Sequence, residues 1–326
     1  MKVLVTGGAG FIGSHLVDLL LANGFKVRVA DDFSKGDIRN VQHNLNNPNM
    51  ELMNCDLRRI NNARKAVKDA DIIFLLAASI GGIGYFHKYP AKILDTNVVL
   101  TSNIFNAAVE KGAERVVFVS SSMVFEGTNV FPTPEVSLEK TPAPLTSYGF
   151  SKLVGEYYCK AYLEEYGLKY TIIRPFNCYG PREVPGKEVG ESHVIPDLVL
   201  KILRGSYPLE ILGSGDQTRS FTYVADVVEA MKLALEKKEA ENEDFNIGSQ
   251  DETSIIKLAE MLWEICGRKE PLKFKHLPSL KFDVKRRTPD VKKAREKLGW
   301  YAKTELHEGL EKTVQWLRRH VVCESF

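Results

Sequence analysis

The chain begins Met1-Lys2-Val3-Leu4-Val5-Thr6-Gly7-Gly8-Ala9-Gly10-Phe11-Ile12-Gly13-Ser14. Met1 to Val5 is a short apolar run, and a helical pattern starts at His15-Leu16-Val17-Asp18-Leu19-Leu20-Leu21. Strand, glycine-rich turn and helix follow in the order a dinucleotide-binding unit requires. Gly7 suits the tight turn, Gly10 lets backbone approach a pyrophosphate, and Gly13 lets the helix pack close to the strand. The helix N-terminus offers free N–H groups and a partial positive charge to phosphates, and Phe11 and Ile12 of the turn are also expected to contact the cofactor. The same glycines also occur in plain strand–helix turns, so the context on both sides carries the reading.

Outward from this stretch, the bulk properties narrow the class. The 326 residues are 44% hydrophobic and 26% charged, ordinary for a globular protein with a large core. The formal net charge of +2 makes no electrostatic case for nucleic acid or a membrane surface. No apolar run is long enough to span a bilayer. The opening strand leaves no room for a signal peptide before it, so a cytoplasmic protein is expected. Cys55, Cys159, Cys178, Cys266 and Cys323 are scattered and odd in number, which predicts reduced thiols. No cysteine–histidine spacing resembles a zinc site, so no metal is expected.

Further along, Lys26–Ala30 reads as a second strand ending at Asp31-Asp32. An acidic residue about 20 positions after a glycine loop accepts from the adenosine ribose hydroxyls and repels a 2′-phosphate, which favours NAD over NADP. A third strand is expected at Glu51–Cys55, before Asp56-Leu57, with a helix over Ala63–Ala70. A fourth, Asp71–Leu76, is apolar enough for both faces to be buried. Ala77 and Ala78 after it leave room for a cofactor. A glycine loop follows at Ser79–Gly84, then a long helix over Ile93–Lys111 and a fifth strand, Arg115–Val119, running into Ser120-Ser121-Ser122-Met123. Serines at the carboxyl end of a parallel strand face the crevice where ligands bind. A helix opens at Tyr148 and continues through Glu164, and Tyr170–Ile173 is a sixth strand. This alternation predicts an α/β fold, a Rossmann-type doubly wound parallel sheet. Beyond Arg174–Pro181 the alternation loosens. Helices are expected over Val194–Arg204, from an Asp226 cap to Leu235, Ile255–Cys266, Pro289–Leu298 and Leu306–Arg318, with short strands at Leu209–Leu212 and Phe245–Gly248. The expected division is 1–175 and 176–326, a smaller mixed α/β domain, with segments near 219–247 returning to the first.

Tyr148 and Lys152 lie one helical turn apart, so both side chains can face the same way. An ammonium beside a phenol favours the phenolate and should lower its pKa. Such a group can take the proton of a substrate hydroxyl, while Ser121 hydrogen-bonds that hydroxyl or the carbonyl it becomes.

Together these features resemble the extended short-chain dehydrogenase/reductase family, in particular its nucleotide-sugar epimerases and dehydratases. The landmarks are Thr6–Gly13, Asp31-Asp32, Asp56-Leu57, Ala77-Ala78, Asn97, Ser120-Ser121-Ser122, Tyr148–Lys152, Arg174–Pro181, Arg219, Asp226, Asn246–Gly248 and Arg286-Arg287-Thr288-Pro289-Asp290. The resemblance implies NAD in the first domain, with Asn97 among its contacts, and a nucleotide diphosphate sugar held by the second. It implies that Arg219 and Arg287 grip the diphosphate, where bidentate guanidinium contacts suit the anion. Asn177 matches a sugar- or phosphate-contacting residue, and Ser122, Met123, His193 and Val194 border the same substrate. One of Arg286 and Arg287 is expected to be merely exposed. It further implies a homodimer built on the helices from Ile93 and Tyr148, for which Val98, Ile104, Phe105, Tyr157, Tyr158 and Tyr162 are candidates.

The reaction must be read from the site, because one scaffold serves several. Dehydratases of the family place an Asp–Glu pair after the catalytic hydroxyl, where this chain has Ser122 and Met123. Ala77–Ile83 and Ser192–Pro196 resemble GDP-fucose synthase and GDP-mannose 3,5-epimerase, which use a cysteine and a histidine as base and acid. His193 falls on that histidine, but Met123 occupies the cysteine position and a thioether cannot abstract a proton. Cys178 is remote in sequence, and Asp31 fits the synthase's NADPH poorly. What remains is epimerisation at C4 through a 4-keto sugar, with UDP-glucose/UDP-galactose, or a UDP-uronic or N-acetyl variant, as the leading substrate. A GDP-sugar epimerase or 4-ketoreductase is the second reading. A non-catalytic NAD(P)-sensing protein is a remote third, which retention of both Tyr148 and Lys152 disfavours.

Overall fold

Lys2–Thr6 forms the first strand, β1, buried at every position after Lys2. The structure is a computed structural model that describes residues 1–186, 191–279, 281 and 284–322. From β1 the chain passes through α1 (Phe11–Ala22), β2 (Lys26–Asp31), β3 (Met50–Asn54), α2 (Ile60–Val67), β4 (Ile72–Leu75), α3 (Ile83–Lys88), α4 (Pro90–Lys111), β5 (Arg115–Val119), α5 (Ser147–Tyr166) and β6 (Lys169–Pro175). It continues through β7 (Cys178–Tyr179), α6 (Val194–Leu203), β8 (Leu209–Leu212), β9 (Thr218–Ser220), β10 (Thr222–Tyr223), α7 (Val224–Glu236), β11 (Glu243–Ile247), β12 (Glu252–Ser254), α8 (Ile255–Ile265), β13 (Phe274–Leu277), β14 (Arg286–Arg287) and α9 (Leu306–Leu317).

Seven strands form one parallel sheet in the order β11-β6-β5-β4-β1-β2-β3. The order reverses direction between β1 and β4, which opens a crevice at their carboxyl ends. Alternation along β1 explains the layers. Val3 and Val5 pack into a cluster with Leu16, Val17 and Leu20 of α1 and Val227 and Met231 of α7. Leu4 points the other way, into a cluster with Ala63 and Val67 of α2, Ile104 and Phe105 of α4, and Cys159 of α5. Strands buried on both faces need helices on both, and this sheet has them. A third cluster joins α6, α8 and α9 over β8 through Leu198, Ile202, Leu258, Leu262, Leu310 and Val314.

Two close approaches set the geometry near the crevice. Gly7 turns the chain at φ +67°, and a Cβ on Gly13 would lie 2.2 Å from the Gly7 carbonyl oxygen, so the first turn of α1 can sit against the loop only as glycine. On α5, a Cβ on Gly155 would lie 2.1 Å from the Phe118 ring of β5, so glycine lets the helix bearing Tyr148 and Lys152 lie close on the sheet.

Several boundaries differ from expectation. Pro90 opens α4 three residues earlier than the apolar pattern suggests, where its missing N–H costs nothing. Asp226 does not cap α7. The helix starts at Val224, and Asp226 in its first turn accepts from the Lys303 and Thr304 N–H groups at 3.2 and 2.9 Å, anchoring the approach to α9. Pro289–Leu298 is not one helix. Only Lys292–Leu298 coils, ending in a wide π-type turn over Ala294–Leu298. Ile104 and Phe105, considered for an oligomer surface, are fully buried between α4 and the sheet. Cys323 lies outside the described residues, and Cys55, Cys159, Cys178 and Cys266 are free thiols.

Candidate active site

A cleft of about 1490 Å³ runs over the carboxyl ends of the strands. That exceeds the roughly 300–1,000 Å³ of a site for one small ligand, so it has room for two. Its first end is the glycine turn, lined by Gly7, Gly10, Phe11, Ile12 and Gly13. Gly10 caps α1 with no side-chain bond to the first-turn N–H groups, which leaves them for an anion. Thr6 closes the floor: its Oγ1 accepts from the Leu76 and Ala77 N–H groups, each at 3.1 Å. This holds Ala77 and Ala78, both on the cleft wall, against β1.

The acidic residues divide their work. Asp31 is buried and accepts from the Ala9 and Phe33 N–H groups, each at 2.9 Å. Burial holds its carboxyl above the usual range, and those hydrogen bonds oppose the shift. Asp31 therefore braces the loop as well as lining the cleft, while exposed Asp32 lines it alongside. The Asp56 carboxylate is engaged by the Arg58 guanidinium, at 2.9 Å through both nitrogens, with Leu57 beside it in the wall. Asn97 is not in the wall: its amide accepts from the Ser79 N–H at 2.6 Å and donates to Ser151 Oγ at 3.0 Å. It ties the glycine loop after β4 to the helix of Tyr148 and Lys152.

At mid-cleft Ser121, Tyr148 and Lys152 converge. Ser121 lies two residues beyond the end of β5, with its Oγ accepting from the Met123 N–H at 3.2 Å. Thr146 caps α5 by accepting from Gly149 N–H at 3.1 Å, which places Tyr148 in the first turn. Burial pushes the Tyr148 phenol up, while the Ser121 hydrogen bond and the Arg287 charge pull it back. The expected lowering by Lys152 is not what the geometry gives. The Lys152 ammonium donates to the Val119 carbonyl at 2.7 Å and lies 5.8 Å from the Tyr148 ring centre. Burial lowers Lys152 to about 8, with the Glu156 carboxylate opposing.

Two supports escaped the sequence. Phe86 of α3 stacks on Tyr148 with ring centres 4.7 Å apart and planes 8° apart. Beneath the site, buried Glu156 accepts from Ser120 Oγ at 2.5 Å and from Arg174 at 2.8 and 2.7 Å. Arg174 is also paired with Asp244 at 2.7 Å. A carboxylate four residues after Lys152 is a legible signal of this network; nothing local marks Phe86.

The far wall holds the remaining candidates. Ser122 and Met123 are buried at its edge, and Met123 packs with Phe86, Ile93 and Tyr148. Asn177 lines the cleft while donating to the Ser220 carbonyl at 3.0 Å. Cys178 is beside it, but burial pushes its thiol well up, so it is no thiolate. Arg219 and Arg287 are register partners on adjacent strands β9 and β14, and both line the cleft. Arg286 faces outward, in an ion pair with Glu252. His193 and Val194 stand at the start of α6, with His193 bonded to Glu183, which no sequence signal marks. The loop after β4 meets this wall directly: Gly82 N–H donates to the Glu191 carbonyl at 2.8 Å.

With this geometry in view, the comparisons agree. Residues 3–248 match the model of the NAD-dependent epimerase/dehydratase family. The chain belongs to that family. It is 37% identical to a UDP-glucose 4-epimerase of Thermotoga maritima solved with UDP-glucose, with a TM-score of 0.87, over 98% of this chain and 99% of that one. It is also 34% identical to UDP-glucuronic acid decarboxylase 1 of Xenopus tropicalis, over 98% of this chain and 73% of that protein. A UDP-N-acetyl-α-D-glucosaminuronate decarboxylase of Bacillus cytotoxicus is 35% identical, over 97% of this chain and 98% of that one. Among the described residues, no helix is long and apolar enough to cross a membrane, and no group of three or more His, Cys, Asp or Glu could hold a metal ion.

Proposed function

We propose that the protein is an NAD-dependent epimerase acting at C4 of a UDP-sugar, with UDP-glucose/UDP-galactose the leading pair. The observation carrying this is the convergence of Ser121, Tyr148 and Lys152 beside Ser122 and Met123, neither of which moves protons at neutral pH. Bound NAD would supply the hydride acceptor and donor for C4. The glycine turn fits it: uncapped α1 N–H groups face the cleft, and Asp31 and Asp32 retain acceptor capacity for ribose hydroxyls. Tyr148 takes the proton of the C4 hydroxyl and returns it. Ser121 hydrogen-bonds the same oxygen. Lys152 supplies a fixed positive charge nearby, and Asn97 positions the helix that carries both. Arg219 and Arg287 bind the diphosphate, with Asn177 and the start of α6 alongside.

A second reading is favoured by the decarboxylase relatives. A uronate oxidised at C4 is a β-keto acid, which loses carbon dioxide without a further acid–base pair beside Ser121. Incubation with NAD and UDP-galactose, followed by proton NMR, should yield UDP-glucose. Release of carbon dioxide from UDP-glucuronate, with no turnover of neutral UDP-sugars, would select the second reading. Turnover of GDP-mannose alone would replace both with the GDP-sugar alternative.

A further inference from the structure

Glu183, just after Arg182, and His193, at the start of α6, meet in the far wall of the cleft. Glu183 is buried, and its Oε1 is bonded to His193 Nδ1. Its Oε2 has no hydrogen-bond partner among the described residues, nor has the nearby buried Ser192 Oγ. With Nδ1 engaged, the half-exposed imidazole of His193 has Nε2 left for the cleft it lines. His193 is also the N-cap of α6, a helix of ten residues, but its side chain makes no capping bond because Glu183 holds it. The Val194 and Ile195 N–H groups, the donors of this turn ahead of Pro196, are therefore left without a side-chain cap, an arrangement that receives an anion.

From this geometry we infer that Glu183 is a positioning residue that holds His193 as a cation, with Nε2–H donating to the diphosphate of a nucleotide sugar at the start of α6. The inference rests on the nucleotide-sugar reading above. A carboxylate behind an imidazole fixes which nitrogen faces the ligand and stabilises its charge. Enclosure by the cleft walls works against that charge, but Glu183 outweighs it by charge and hydrogen bond and leaves the His193 pKa raised. Arg287 and Lys35, the cations facing the ring from β14 and from the loop after β2, pull the other way. The other charges nearby are engaged elsewhere: Arg182 with Asp18 at 2.7 Å, Asp197 with Lys201 at 2.8 Å, and Glu191 with Lys88 at 3.9 Å. A bound diphosphate would bring negative charge to Arg287, Lys35 and His193 together.

The sign of the pH dependence follows. A raised pKa keeps the imidazole charged to higher pH, so diphosphate affinity should fade as pH rises through that value. Glu183→Gln keeps a hydrogen-bonding side chain but removes the charge, so the fading should move to lower pH. Calorimetric titration of UDP and GDP, with intact protein from about pH 6 to about pH 9, reads this directly. At neutral pH Glu183→Gln should weaken binding of whichever nucleotide the wild type takes by roughly tenfold, as should His193→Gln. NAD affinity and melting temperature serve as controls for the fold. Equal diphosphate affinity in wild type and both variants across the range would overturn the inference. Unchanged UDP affinity with weakened UDP-glucuronate affinity would also overturn it, assigning the pair to a sugar carboxylate. A wild type that binds neither UDP nor GDP would instead sink the nucleotide-sugar reading.

Discussion

Tyr148 lies 4% exposed beneath Phe86, so its phenolate has little water to solvate it. The Ser121 hydrogen bond and the charge of Arg287 oppose that loss. Tyr148→Phe removes the proton carrier and keeps the packing, so turnover should fall by roughly 10²–10⁴-fold while NAD affinity, read by calorimetry, is retained. Lys152 carries the opposite penalty. Its pKa is lowered to about 8, so below that pH the fold bears the cost of a buried charge. The unfolded chain binds the proton more tightly, and the penalty disappears as pH rises past the ordinary lysine value of about 10.4. Lys152→Met should therefore be inactive yet melt higher than wild type at pH 7, with the gap narrowing towards about pH 10. Calorimetric scans at several pH values check the trend, and a lower melting point at pH 7 would count against it. At this scale Ser121, Tyr148 and Lys152 were legible because strand-end placement and i,i+4 spacing are local rules. The actual state of the phenol was not, because desolvation depends on what packs above it.

Among the elements, α5 matters most to the site, since it carries Tyr148, Lys152 and Glu156 against β5. Its depth is set by Gly155 under the Phe118 ring. Gly155→Ala should cost about 1–3 kcal/mol by overpacking and should lower turnover by lifting the helix. Denaturant titration measures the first effect, and Phe118→Leu in the same chain should restore part of both. Beneath α5, the Arg174–Glu156 pair is held at 2.7 Å with both side chains nearly fully buried. Glu156→Gln leaves Arg174 with Asp244 as its remaining carboxylate and should destabilise by about 3–5 kcal/mol in the same titration. Sequence periodicity located β1, β5, α5 and α9 to within a few residues. It misread Pro289–Leu298 and the role of Asp226, because those depend on what the segment meets and not on its own pattern.

For the molecule as a whole, the cleft is built from both halves of the chain. The sheet takes β11 from residues 243–247, and the far wall takes β9, β14 and the start of α6. A ligand that bridges them stabilises the entire fold. UDP at about 100 times its Kd should add about 2.7 kcal/mol to unfolding, visible as a higher melting temperature, and NAD should do so independently. Phe150 and Tyr157 are 41% and 67% exposed on α5, seven residues apart and so on one face. We propose this face as the homodimer surface; Tyr158 and Tyr162 instead pack on Phe105. Tyr157→Asp should then shift sedimentation towards the monomer, and a monomeric wild type would remove the idea.

The sequence by itself determined the doubly wound sheet, the glycine turn and the candidate group Ser121, Tyr148 and Lys152, because each is written in short-range spacing. Tertiary structure decided the rest. It placed Arg219 beside Arg287 and left Arg286 outside, set Asn97 to bracing the helix, put Phe86 over Tyr148, and joined Glu183 to His193. These arrangements depend on burial, register and charge between segments far apart in the chain, and no local pattern encodes them.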